Sequence, residues 1–313
     1  MPDGQPDILA TAHRPAFRRT AHERHRRGRL TMGLRGASIL AVAGLAATSG
    51  AIALGPAGAS APPPTAAAAA PEMKLPPGIP QGYLAPEQRP DSLALLPPPP
   101  APGSAAFAGD EEARAAMARL ADSPRFTRAA SDADLQPAHS LQTFACALGV
   151  RPDPERTPTL YRLLGKSMVD IGLSTYKAKT HYQRVRPFVA HASATCLPQQ
   201  EAALRSDGSY PSGHSAVGWG WALILAELAP ARADAVLQRG RDFGESRMVC
   251  NVHWASDVDA GRVIASATVA RLHAEPTFRA DLDKARAEMA GFAADLAPSA
   301  EACRAEAAEL SMR

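Results

Sequence analysis

Lys179 and Arg186, the latter followed by Pro187, form one cluster of residues that could do chemistry. Pro211-Ser212-Gly213-His214 forms a second, and Ser246-Arg247 with His253 and Asp257 forms a third. Together they hold fixed cations for an oxyanion, a glycine turn that feeds backbone N–H groups into a helix start, and one imidazole each for attack and for proton transfer. A phosphoryl group is the ligand such a set would suit. Taken singly, each cluster reads as well as a solvated helix face or an ordinary capped turn, so the combination carries the argument.

Spacing suggests a role for each residue. Lys179 and Arg186 lie seven residues apart, two helical turns, but Pro187 biases Arg186 toward extended backbone and puts its guanidinium at a helix end. Gly208-Ser209-Tyr210-Pro211-Ser212-Gly213-His214-Ser215 has the glycines, proline and hydroxyls of a tight turn ahead of an apolar helix, with the Ser212 hydroxyl and the Gly213 N–H available to an anion. His253 and Asp257 are four apart, so on a helix the carboxylate accepts from one ring nitrogen and leaves the other unprotonated, as a nucleophile needs. Arg247, expected ahead of that helix, can grip phosphate oxygens with two donors. Cys250 and His253 have a C-x-x-H spacing, but no second ligand pair accompanies them, so no metal site is expected.

Read in order, Lys-x6-Arg-Pro at 179–187, Pro-Ser-Gly-His at 211–214 and Ser-Arg-x5-His-x3-Asp at 246–257 resemble the superfamily of type-2 phosphatidic acid phosphatases (PAP2) and vanadium haloperoxidases. Within it, the chain is most similar to the bacterial class A non-specific acid phosphatases. The run at 208–215 is that class's signature with Ser215 where Thr is usual, and Leu95-Leu96-Pro97 through Pro100 with Gly103-Ser104 resembles its N-terminal region. The resemblance implies hydrolysis of phosphate monoesters at acidic pH through a phosphohistidine, with no metal and no cofactor. It implies His253 as nucleophile, Asp257 as the group orienting it, and His214 as general acid and base. Lys179, Arg186, Ser212, Gly213 and Arg247 are the phosphate cradle by the same resemblance, which also implies broad monoester specificity and a phosphotransferase side activity. A vanadate-dependent haloperoxidase would use the same pocket for its cofactor. A non-catalytic phosphate-binding protein would need the cations but neither His253 nor Asp257.

These side chains need a scaffold, and the composition favours helices. Hydrophobic residues make up 46% of the chain but aromatics only 5%, and its Ala-rich segments carry few β-branched runs. The expected fold is all-α, a compact single-domain helical bundle around a central apolar helix, PAP2/haloperoxidase-like by resemblance. Leu160, Leu163, Leu164, Met168 and Ile171 recur at helical spacing within a predicted helix over 159–182. The segment 215–229 is apolar nearly all round, which predicts a central position. Further helices are predicted from near Asp110, where Glu111 and Glu112 suit a first turn, and over 233–243, 253–273 and 278–292.

The first hundred residues read differently. Arg24, Arg26, Arg27, Arg29 and Arg35 precede an apolar stretch from Ile39 to Leu54, and Ala57-Gly58-Ala59 follows. That is the layout of a signal peptide at 1–59 with an extended n-region and cleavage after Ala59, Met32 being an alternative start. Residues 60–103 are Pro- and Ala-rich and predict an extended lead-in, 104–292 the phosphatase-type domain, and 293–313 a weakly patterned, loosely docked tail. Export to the periplasm or beyond would place Cys146, Cys196, Cys250 and Cys303 in an oxidising compartment, where four cysteines allow three pairings. Nothing after the leader is long and apolar enough to span a bilayer, so no membrane association is expected once it is removed. Residues 1–61 hold 8 basic and 3 acidic residues, which leaves the rest with no basic surplus and no Lys/Arg run suited to a nucleic-acid polymer. The expected partner is a small phosphate monoester, with a homo-oligomer left open.

Overall fold

The computed structural model describes residues 80–292 and 294–312; the signal-peptide stretch and its expected cleavage site lie outside them. The longer helices are α1 (Ala105–Ala118), α2 (Pro124–Ser131), α3 (Pro158–Ser174), α4 (Tyr176–Tyr182), α5 (Gly213–Leu228), α6 (Ala233–Val249), α7 (Ala255–Leu272), α8 (Pro276–Phe292) and α9 (Ala300–Leu310). Short helical turns and loops join them, and no strand occurs among the described residues. The chain adopts the all-α class expected of it.

Helix α5 is buried on nearly every face, packed by α3, α6 and α7. Trp221, Ala222 and Ile224 on it are fully buried, and the Trp221 indole N–H donates to the Leu164 carbonyl of α3 at 2.9 Å, so the ring is buried without stranding its polar atom. Close approach of α6 depends on Gly218 having no side chain: a β-carbon there would sit 2.2 Å from the Phe243 ring. On the α7 side, Gly261 lies against the Ser212 carbonyl, and a β-carbon would meet that oxygen at 2.5 Å. The Ser212 N–H in turn donates to the Asp257 carbonyl at 2.9 Å, which ties the start of α5 to the first turn of α7.

Local chemistry sets the helix ends. Ser104 and Ser123 cap α1 and α2 by accepting from the Phe107 and Phe126 N–H groups, and Pro124 fits the first position of α2. Helix α1 thus begins ahead of the expected Asp110, which is buried within it. The helix predicted over 159–182 breaks at Thr175 into α3 and α4. The one predicted over 233–243 runs on to Val249, because Ser246, which reads as a loop residue, is buried against Asp132 and Arg125. The helix predicted from His253 starts only at Ala255, since the Asp257 carboxylate accepts the Trp254 N–H at 2.8 Å and so caps the helix there. His253 therefore precedes α7 rather than riding on it, and Arg247 lies on the last turn of α6.

The described part of the lead-in, residues 80–103, is anchored to the bundle, and so is the C-terminal segment expected to be loosely docked. Leu84 and Leu96 are buried, and the Tyr83 and Leu84 N–H groups donate to the Asp170 carboxylate of α3 at 2.6 and 3.2 Å. Proline content predicts an extended lead-in, and a single buried carboxylate far along the chain supplies the acceptors for its Tyr83 and Leu84 donors. At the other end α9 packs on α2 through an Arg128–Glu309 ion pair and reaches Arg239 of α6 through Glu306. Disulfides join Cys146 to Cys303 and Cys196 to Cys250, which selects one of the three pairings and removes Cys250 from any ligand role beside His253. No helix among the described residues is long and apolar enough to cross a membrane.

Candidate active site

Lys179, Arg186, Gly213, His214, Arg247 and His253 line one cavity of about 500 Å3. Ser212 and Asp257, both fully buried, stand behind that lining. The Ser212 oxygen caps α5, accepting from the Ser215 N–H at 3.2 Å and from the Ser215 hydroxyl at 2.8 Å, so the hydroxyl assigned to the cradle is engaged in the turn itself. Helix α4 presents Lys179, whose ammonium donates to the Gly208 carbonyl at 2.7 Å. Gln183 takes left-handed backbone with φ of 42°, which ends α4, and Arg186 is extended ahead of Pro187, as the proline predicts.

The two arginines of the cavity differ in how their donors are used. Arg186 donates from Nε to the Leu204 and Asp207 carbonyls, from Nη1 to the Val252 carbonyl and toward His253 Nε2, and from Nη2 to Asp207 Oδ2 and the Gly208 carbonyl. To grip an oxyanion it has to release one of these partners. Arg247 is 1% exposed, yet its Nε and Nη1 have no hydrogen-bond partner. Idle donors on a buried guanidinium cost free energy that a ligand oxygen would recover, so Arg247 marks the position best suited to an oxyanion. Burial, then the neighbouring Arg186, pushes its pKa down to about 9, and burial pushes that of Lys179 down to about 8; both remain cations below neutrality.

Hydrogen-bond partners identify which ring nitrogen of each histidine holds a proton. The Asp257 carboxylate accepts from Arg184 and from the Trp254 N–H, and His253 Nδ1 lies 3.3 Å from its Oδ2. An acceptor there calls for a proton on Nδ1 and leaves the lone pair on Nε2, which lies 3.0 Å from Arg186 Nη1. His214 Nε2 lies 3.1 Å from the Ala133 carbonyl, which can only accept, so that nitrogen carries the proton and Nδ1 is left to exchange one. Burial, reinforced by Arg186 for His253 and by Arg247 for His214, holds both imidazoles well below their ordinary pKa. Burial also raises the Asp257 pKa, opposed first by Arg184.

Several residues of this site were not apparent from the motifs. Arg184 bridges Asp257 and Asp110, each at 2.6 Å, and Asp110 also accepts from the Ser256 N–H and hydroxyl. Arg184 stands two residues before Arg186, and a second arginine so close to the Arg-Pro pair was a readable signal. Asp110 gave none, being 146 residues from its Ser256 partner. Asp207 and Asp134 also line the cavity, as do Leu135, Met168 and Tyr176.

Comparison with known proteins agrees with the geometry. The PAP2 superfamily profile matches residues 161–279, a span that holds all three clusters. Non-specific acid phosphatases of Providencia stuartii and Salmonella typhimurium are 43% and 40% identical over 66% and 67% of this chain, and each is covered over 84% of its own length. An acid phosphatase of Zymomonas mobilis is 42% identical over 64% of this chain and 75% of its own. With identity of this order across most of each relative, and with the profile covering all three clusters, the chain belongs to the PAP2 superfamily.

Proposed function

We propose that the protein is an acid phosphatase that hydrolyses phosphate monoesters through a phosphohistidine on His253. One observation carries this reading: His253, whose Nδ1 is backed by Asp257, and Arg247, whose Nε and Nη1 have no partner, line the same cavity, and a phosphoryl group that draws the Arg186 Nη1 donor away from His253 Nε2 would free that lone pair for attack. Phosphoryl transfer asks for alignment and charge compensation, which Lys179, Arg186, Arg247 and the Gly213 N–H would supply. In the first step His253 Nε2 forms a bond to phosphorus as the bond to the ester oxygen breaks, and protonated His214 gives its Nδ1 proton to that oxygen. In the second, His214 takes a proton from water, the water oxygen attacks phosphorus, and the P–N bond breaks to release inorganic phosphate and free His253. The names of the relatives support the activity, and their printed description as non-specific supports a broad range of monoesters. Two disulfides support an oxidising location, periplasmic or secreted, as a cleaved leader at 1–59 would provide.

Rapid quench of the enzyme with a phosphorus-labelled aryl phosphate should trap an acid-labile adduct on His253. His253→Ala should lose turnover and adduct together while retaining part of its phosphate affinity. Label on another residue, or near-native rates in that variant, would overturn the assignment. Hydrolysis should persist in excess chelator, and a loss restored by zinc or magnesium would contradict the metal-independent scheme.

A further inference from the structure

We propose that the Asp207 carboxylate is an affinity-setting residue, occupying the cations of the cradle in place of phosphate and so weakening the pocket's hold on phosphate. Its Oδ2 lies 3.0 Å from Arg186 Nη2 and 3.7 Å from Lys179 Nζ. The two cations are 2% and 5% exposed, whereas the carboxylate is 40% exposed at the cavity wall it shares with His214, His253 and Arg247.

The loop that carries Asp207 does not need this carboxylate to stay in place. Arg186 already holds it through the carbonyls of Leu204, Asp207 and Gly208, and Lys179 holds it through the Gly208 carbonyl. The two buried cations need a counter-anion, but the carboxylate that serves them is partly exposed and can turn to water when another anion takes its place. Its place is the informative part. An entering phosphate needs the same Arg186 and Lys179 donors, and it either displaces the carboxylate, losing that pair, or binds beside it and meets a like charge. Both outcomes lower affinity for substrate and for the inorganic phosphate that is product and competitor at once. This assignment rests on the acid-phosphatase reading for its meaning in turnover, but its first measurement needs no catalysis.

Asp207→Asn keeps the side-chain volume and removes the charge, and Asp207→Ala removes the group entirely. Titration of the full chain with inorganic phosphate near neutral pH should show both variants binding tighter than wild type by about threefold or more. In the assay, the inhibition constant for phosphate and the KM for an aryl phosphate should fall in parallel. Unchanged or weaker phosphate binding in the two variants would overturn the proposal, the second result meaning that the carboxylate shapes the cradle instead. An active wild-type enzyme with that result would sink the Asp207 assignment alone. Tighter binding in the variants of a chain that hydrolyses no monoester would sink the catalytic reading and leave this one standing.

Discussion

Arg184 holds Asp257 from behind, linking it to Asp110 through two 2.6 Å contacts between groups that are all at most 8% exposed. Removing the guanidinium would leave two buried carboxylates uncompensated, a change that costs about 3–5 kcal/mol in comparable pairs. Arg184→Gln should therefore melt earlier. It should also reduce kcat more than phosphate affinity, because Asp257 would no longer be a steady acceptor for His253 Nδ1; equal losses in both would mean that Arg184 supports the cradle as a whole. The two imidazoles set the pH behaviour. Their pKa values in the folded chain lie below the ordinary value of about 6.5, so their contribution to stability is fully present above it and is lost as pH falls through the folded values. Asp170 acts in the opposite sense: burial raises its pKa to about 6, and its contribution is present below the ordinary carboxyl range and lost as pH rises through about 6. Melting curves of Asp170→Asn should lack that second decline while wild type shows it. In catalysis the depressed pKa of His214 means that its proton has to be favoured by an anionic ester or arrive with a monoanionic one, so kcat/KM should fall as pH rises through neutrality. A profile still climbing above about pH 9 would contradict His214 as the acid.

At the scale of elements, the cavity depends on how closely α6 lies against α5. Gly218→Ala would push a methyl group into the Phe243 ring and should cost about 1–3 kcal/mol, since a packed core relaxes only partly around added volume. Because α6 carries Arg247 on its last turn, the same substitution should weaken phosphate binding. Gly109→Ala serves as the contrast: no heavy atom lies within 4 Å of its added β-carbon in the middle of α1, so helix propensity alone should raise stability by about 1 kcal/mol. Thermal melts and phosphate titrations of the pair check both, and an unaffected Gly218→Ala would show that the two helices have slack at this contact.

For the molecule as a whole, the disulfides divide the labour between stability and the site. Cys146–Cys303 spans 157 residues and fastens α9, and chain entropy assigns it about 5 kcal/mol; Cys196–Cys250 spans 54 residues and is assigned about 4 kcal/mol. Cys250 lies between Arg247 and His253, both in the cavity wall, whereas Cys303 is remote from it in sequence. Replacing the first pair by serines should lower the melting temperature more, and replacing the second should lower activity more. The reverse order would place the control of the cavity in the C-terminal helix, where Glu306 reaches Arg239 and, through it, Asp132 beside the Ala133 carbonyl that holds His214.

How much of this was legible beforehand follows from the range of the interactions concerned. The helical class, the central place of α5 and the extended backbone of Arg186 before Pro187 could be read from the sequence, because periodicity and proline act over a few residues, and the combination of the three clusters pointed to one shared pocket. The anchoring of residues 80–100 by Asp170, the continuation of α6 through Ser246, the start of α7 after His253 and the roles of Arg184, Asp110 and Asp207 could not. Each of those depends on a polar group finding a partner dozens of residues away, and a buried donor or acceptor takes whatever partner the packing brings to it. The sequence by itself determined the chemical groups and the local geometry of each cluster. Only the tertiary structure decided which donors are already engaged and which, like Nε and Nη1 of Arg247, have no partner within the protein.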